Sequence, residues 1–298
     1  MLLPATEHRH PAAMGFDALP PDQVLGHILA QAQASLASIA TALPRIDAAA
    51  TLVAAALRDG HKLIYAGAGS SALMACADGL ELPGTYGVNP DQIVLLMAGG
   101  LPVDARMPGD TEDDVDQARH AASIIAPGDV VIAVTASGST PFAVVVAETA
   151  RANGAKVIGI ANNRHAPIFA HADVAIALPT PPEVIAGSTR MGAGTAQKVA
   201  LNMISTLAGI KLGQVHDGLM IGVVADNIKL RKRAAGIVAQ IAGVTDAQAQ
   251  TALHTALGHV KPAVLMARGM SQDAAMAVLT DCNGNLRSAL TRITTTGS

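Results

Sequence analysis

The chain has 298 residues, enough for one large domain or two smaller ones. Half of it is hydrophobic, yet aromatics make up only 2% and Trp is absent, so the core must be aliphatic and closely packed. Lys plus Arg number 20 against 23 acidic residues, a net charge of −3 that gives no nucleic-acid footprint; two cysteines, Cys76 and Cys282, exclude a disulfide framework, and no Cys/His cluster has zinc spacing.

No run of ~18 consecutive apolar residues marks a spanning helix, and Met1–Gly15 lacks a signal-type apolar stretch. The expectation is a cytoplasmic protein with neither membrane nor nucleic-acid partners. Residues 1–20 are Pro-rich, and the polar opening Thr6-Glu-His-Arg-His-Pro11 reads as a frayed terminus. From Asp22 to Arg58 apolar residues recur at helical spacing, interrupted by Pro44, which predicts two helices joined near Leu43-Pro44. Residues 1–60 are thus an N-terminal helical segment.

The period then changes. His61–Ala66, Ile93–Met97, Asp129–Val134, Lys156–Ile160 and Val174–Leu178 are short apolar runs expected as strands. Between them come helices from Gly67-Ala-Gly-Ser-Ser71 through Ala77, over about 111–125, and over 142–152. Strands alternating with helices predict an α/β fold, a doubly wound parallel sheet of five strands over 61–240. Two long helices follow at about 193–212 and 223–242. The tail, 241–298, reads as a small helical module of three short helices separated at Lys261-Pro262 and Met270-Ser271. Thr245 and Gln248 have capping-box spacing at its start.

Two strands run into small, hydroxyl-rich turns that open helices: Gly67-Ala-Gly69-Ser70-Ser71 and Ala136-Ser137-Gly138-Ser139-Thr140. In a doubly wound sheet ligands sit beyond the carboxyl ends of the strands, and a helix start favours a phosphate. The first turn also fits the dinucleotide pattern G-x-G-x-x-A. That reading needs an acidic residue at the end of the second strand, where Leu96-Met-Ala-Gly-Gly100 has none. Glu81 and the cluster Glu112-Asp113-Asp114 read, on spacing alone, as solvated charges, the latter suited to a helix's first turn.

One stretch carries more. Glu183-Val-Ile-Ala-Gly-Ser-Thr-Arg-Met-Gly-Ala-Gly-Thr-Ala-Gln-Lys198 leads into Val-Ala-Leu-Asn-Met-Ile-Ser-Thr206. On spacing it is a capped core helix whose Gly-Ser-Thr lead-in presents N–H groups to an anion. Its wording closely resembles the signature of the N-acetylmuramic acid 6-phosphate etherases, a family built on the sugar isomerase (SIS) fold. The resemblance runs through almost the whole chain. Thr6–Pro11 is similar to a Thr-Glu-x-Arg-Asn-Pro opening, with His10 for Asn. Gly67–Ser71, Asp78-Gly-Leu-Glu81-Leu-Pro-Gly-Thr-Tyr-Gly-Val88, Met97–Gly100, Thr111–Asp114 and Ala136–Pro141 each match a family segment, and the tail resembles the family's helical module.

The resemblance implies an SIS-type sheet and cleavage of a D-lactyl ether on a 6-phosphorylated sugar, with Glu81 as proton donor and Glu112 as base. It implies sugar-phosphate binding by Gly69, Ser70, Ser71, Ser137, Gly138, Ser139, Thr140, Ser188, Arg190 and Lys198. No cofactor and no metal are implied, and the partners expected are the small-molecule sugar phosphate and a second copy in a homodimer. Five family polar positions differ: Leu73 and Ser139 stand for Arg, Gly192 for Lys, Gly218 for Asn and Gly222 for Asp. Two alternatives stay open: a non-catalytic sugar-phosphate sensor, for which the loss of three cations argues, and an SIS-type isomerase.

Overall fold

Five apolar runs form one parallel sheet, ordered β2-β1-β3-β4-β5, from β1 (Leu63–Gly67), β2 (Ile93–Met97), β3 (Val130–Thr135), β4 (Lys156–Ala161) and β5 (Val174–Ala177). The computed structural model describes residues 5–107, 109–223 and 228–296. Every residue of β1 and β3 is buried, which is why these strands read as continuous apolar runs without alternation. β1 starts at Leu63, later than the apolar run at His61, because the Lys62 N–H donates to the Asp129 carboxylate at 2.8 Å.

The chain divides into two compact units: residues to Leu80 with Asp91–Leu207, and Glu81–Pro90 with Ala208–Ser298. By packing, the helical unit thus starts at Ala208, where the sequence reading begins its module at 241.

In the first unit α1 (Pro21–Ala37) and α2 (Leu43–Arg58) meet at the 3-10 turn Ser38–Ala42, with Pro44 in the first turn of α2, where no N–H is needed. The span 21–58 reaches a mean hydropathy of 1.3, enough by length and composition to cross a bilayer. Its apolar residues have another use. Ile46, Ala49, Ala50, Val53, Ala54 and Leu57 of α2 are buried, and α2 packs on β1, β3 and β5. A second layer, α4 (Val115–Ala122) and α5 (Pro141–Ala152), buries Ala118, Ala122, Phe142, Val146 and Ala150 with the sheet residues Ile64, Val131 and Val157.

Helix α3 (Gly69–Tyr86) runs well beyond Ala77, through Pro83. Beneath it lies a buried polar cluster. The Asp78 carboxylate accepts from Tyr65 Oη at 2.7 Å, Asn202 Nδ2 at 2.7 Å and Ser205 Oγ at 2.9 Å, tying β1 and α3 to α6 (Gly192–Lys211). Burial, followed by the charge of Asp78 and its hydrogen bond, pushes the Tyr65 phenol well above its usual 10.0.

The second unit holds a hairpin that the sequence reading did not include, β6 (Val215–His216) and β7 (Leu219–Met220). Asp217 and Gly218 make its turn with φ of 47° and 77°, the left-handed conformation that Asp-Gly hairpin turns adopt. Gly218 is fixed by that conformation. Helix α7 is described over Ile228–Ala242; the part of the expected helix at 224–227 lies outside the described residues. Four short helices follow, not three: α8 (Asp246–Thr255), α9 (Val260–Ala267), α10 (Gln272–Asp281) and α11 (Leu286–Thr296). Pro262 does not separate helices. It sits in the first turn of α9, and the chain reverses earlier at Leu257 and Gly258, both with positive φ. The Thr245–Gln248 capping box forms, and Ser271 caps α10.

Replacing Asp78 by Ala leaves three donors, two of them buried, without this acceptor. We expect a loss of ~3 kcal/mol or more in urea unfolding. Because the Tyr65 phenol is raised in the folded state, its contribution is complete below the usual value of 10.0 and falls as pH climbs above it. Tyr65→Phe should therefore flatten the alkaline limb of the stability profile.

Candidate functional site

The sheet order reverses between β1 and β3, and the loops leaving these neighbouring strands flank the crevice where open α/β sheets bind ligands. Their approach depends on small residues. A Cβ on Gly67 would lie 2.9 Å from the Val134 carbonyl oxygen and 3.3 Å from the Ala72 backbone. After β1 the chain turns directly into α3, whose first residues are Gly69, half-buried Ser70 and buried Ser71.

After β3 the hydroxyls order one another. Thr135 Oγ1 lies 2.8 Å from Thr140 Oγ1 and accepts the Gly138 N–H at 3.2 Å. Ser137 Oγ accepts from Ser139 N and Ser139 Oγ, each at 3.2 Å. Gly138 has φ of 85°, and a Cβ there would meet Ala166 at 2.2 Å. The turn after β4 closes the loop from behind, since Asn163 Nδ2 donates to the carbonyls of Ala136 (3.1 Å) and Ser137 (3.0 Å). The sequence reading did not single out Asn163.

Glu112 is not in a helix's first turn. It lies in the 3-10 turn Asp110–Asp113, and Asp114 is the N-cap of α4, accepting from Asp116 N (3.1 Å) and Gln117 N (2.8 Å). Capping by Asp114 leaves the exposed Glu112 carboxylate free of that duty. The turn is braced against the glycines after β2: a Cβ on Gly99 would lie 2.9 Å from Thr111 Oγ1, and Gly99 N donates to Gln117 Oε1. Glu112, Gly69, Gly99, Gly100 and Arg106 line one cavity of about 320 Å³. Arg106 pairs with Asp104 at 3.4 Å and stays almost fully exposed. Sequence reasoning passed over it, since a lone arginine in a loop carries no pattern.

Glu81 is exposed on α3 and belongs by packing to the helical unit. Ser188 is half-buried, while Arg190 and Lys198 are exposed, Arg190 in the turn before α6 and Lys198 on its second turn. The N–H groups at the start of α6 are already taken. Gly192 N donates to Glu183 Oε2 at 2.9 Å and Ala193 N to Glu183 Oε1 at 2.8 Å, with Gln31 Nε2 a third donor at 2.8 Å. An internal carboxylate, 1% exposed, thus fills the position that the sequence reading gave to an anion.

The departures from the family pattern have local causes. A Cβ on Gly192 would lie 2.1 Å from Gln31 Nε2 and 2.3 Å from Ser35 Oγ, so a lysine there would displace the amide that holds Glu183. Gly222 faces the Tyr86 carbonyl oxygen, 2.5 Å from a Cβ, and Leu73 packs on the Ala72, Cys76 and Met97 cluster. The polar opening is not frayed at Thr6, which is 1% exposed, with Asn163 Nδ2 3.5 Å from its hydroxyl. His10 does what Asn does in a cap: its Nδ1 accepts Ala12 N at 3.1 Å. Among the described residues no group of three or more His, Cys, Asp or Glu is placed to hold a metal.

Comparison with known proteins adds a family context. Residues 27–162 match the SIS domain. The N-acetylmuramic acid 6-phosphate etherase 1 of Vibrio cholerae is 39% identical over 96% of both chains. The etherase of Cutibacterium acnes is 38% identical over 97% of this chain and 96% of its own, and that of Symbiobacterium thermophilum 46% identical over 75% of each.

Glu183→Gln keeps the shape but sets an amide N–H₂ among three donors. We expect a loss of about 2 kcal/mol, the scale of hydrogen bonds to a charged acceptor, read from the urea midpoint.

Proposed function

The chain belongs to the N-acetylmuramic acid 6-phosphate etherase family, and on that footing we propose that it is a carbon–oxygen lyase that cleaves the D-lactyl ether of N-acetylmuramic acid 6-phosphate. The products are N-acetylglucosamine 6-phosphate and D-lactate. The observation that carries this reading, beyond family membership, is the cavity shared by Glu112, Gly69 and Arg106 at the carboxyl edge of the sheet. It supports a carboxylate working beside a phosphate-holding helix start.

In the opened sugar the C2 proton is acidified by the neighbouring aldehyde. Glu112 removes it, and the electron pair passes toward C3 as the ether C3–O bond breaks. Glu81 protonates the departing lactate oxygen. Water then adds at C3 of the unsaturated aldehyde and restores a hydroxyl. The sequence is redox-neutral, so it calls for no electron-carrying cofactor. Gly69, Ser70 and Ser71 at the start of α3, with Ser137, Gly138, Ser139 and Thr140, hold the phosphate; Ser188, Arg190 and Lys198 complete the binding set. With Leu73, Ser139 and Gly192 in place of family cations, Arg106 takes the lactyl carboxylate, its guanidinium free to trade Asp104 for the substrate. The enzyme acts as a homodimer in the cytoplasm, recycling cell-wall sugars.

The missing cations favour a second reading, a sensor that binds the sugar phosphate without turning it over. An isomerase is the third. Only the etherase releases D-lactate, so incubation with N-acetylmuramic acid 6-phosphate and a D-lactate assay separates them; substrate bound without lactate or C2-proton exchange would leave the sensor. Glu81→Gln should permit C2 exchange in heavy water while lactate release falls ~10²–10⁴-fold, whereas Glu112→Gln should stop the exchange itself. Arg106→Ala should raise KM with little change in kcat, as for a group that holds substrate and transition state alike.

A further inference from the structure

We propose that the helical unit carries a second small-molecule site, for a small carboxylate with an apolar body, in the cavity between the end of β7 and helices α9 and α10. The cavity measures about 490 Å³, within the range of small-ligand pockets. Ile221, Val223, Val260 and Leu279 give it apolar walls, and Met276, half exposed, stands at its rim. One cation enters it. Lys261, on the first turn of α9, is half-buried, and its Nζ donates to the Gly284 carbonyl at 2.9 Å.

No Asp or Glu lines the cavity among the described residues, and the one ionisable neighbour there is His259. Lys261 therefore holds its charge against a backbone carbonyl and mostly apolar walls, with no counter-ion among the described residues. Such burial disfavours an ammonium unless an anion joins it, and here it pulls the amine down to about 8. At neutral pH the group still carries most of its charge.

The donor count selects the kind of anion. An ammonium has three donors, and Gly284 takes one. Two remain, which suits a monoanionic carboxylate better than a phosphate dianion. The apolar walls take the rest of the molecule. None of these residues belongs to the set assigned to ether cleavage, so the proposal stands apart from that reading.

The test uses the full-length protein and hexanoate as probe, followed by calorimetry. We expect one saturable site with Kd on the order of 1 mM, as befits so small a ligand. Hexanol and inorganic phosphate should bind at least ~10-fold more weakly, and Lys261→Met should cost hexanoate a similar factor. Met276→Trp, which fills the rim without touching the lysine bond, should abolish binding and leave lactate release unchanged. Should Lys261→Met fail to fold, amine acetylation of the native protein read by mass spectrometry replaces it, with hexanoate expected to protect Lys261. The absence of saturable binding, equal affinity for hexanol, binding that survives either substitution in folded protein, or no protection of Lys261 would overturn the site.

Discussion

The buried carboxylate of Glu183 is the constraint on which the site-bearing unit depends. It gathers the first two N–H groups of α6 and the Gln31 amide of α1 around one charge. A carboxylate at this depth is tolerable only because every donor around it is aimed at it. It fixes where α6 begins, and hence where Ser188, Arg190 and Lys198 stand. Asp78 does the same further along α6, joining Asn202 and Ser205 to Tyr65 of β1 and to α3. Two acids thus hold the helix, Glu183 to α1 and Asp78 to the sheet from which the serine loops emerge.

With that frame fixed, the carboxyl edge can be built from residues that occupy almost no space. Gly67 lets β1 pass close to β3, Gly138 turns against Ala166, and Gly99 accepts the side of Thr111. The loops contribute backbone N–H groups, hydroxyls and the exposed Glu112 carboxylate, with Arg106 as the cation on the shared wall. A site of this composition is polar without being charged through its depth. It suits a substrate that brings its own charges.

Much of the architecture was legible because it is local. Apolar runs of strand length alternating with helical spacing gave the five-stranded sheet, and the Thr245–Gln248 cap was readable from two residues. What escaped depends on distant partners. Glu183 meets Gln31 from 152 positions away, and no spacing rule connects them. Thr6 looked frayed because the partner of its hydroxyl, Asn163, lies 157 positions away. The acidic run at Glu112 looked like a helix start because Asp114, not Glu112, is the cap, a choice made by backbone geometry. The hairpin at Asp217-Gly218 was readable in principle, but strands of two residues carry too little periodicity to stand out. Family resemblance, not periodicity, singled out the two glutamates.

In the proposed chemistry two carboxylates drive elimination and then hydration, so the broken bond lies on the sugar side of the ether oxygen. Running the reaction in water enriched in heavy oxygen, with mass spectrometry of both products, tests this directly. Elimination and hydration should place label in the C3 hydroxyl of N-acetylglucosamine 6-phosphate and none in the hydroxyl of D-lactate. Label in the lactate hydroxyl, with none in the sugar, would place the cleavage on the other side of the oxygen and contradict it.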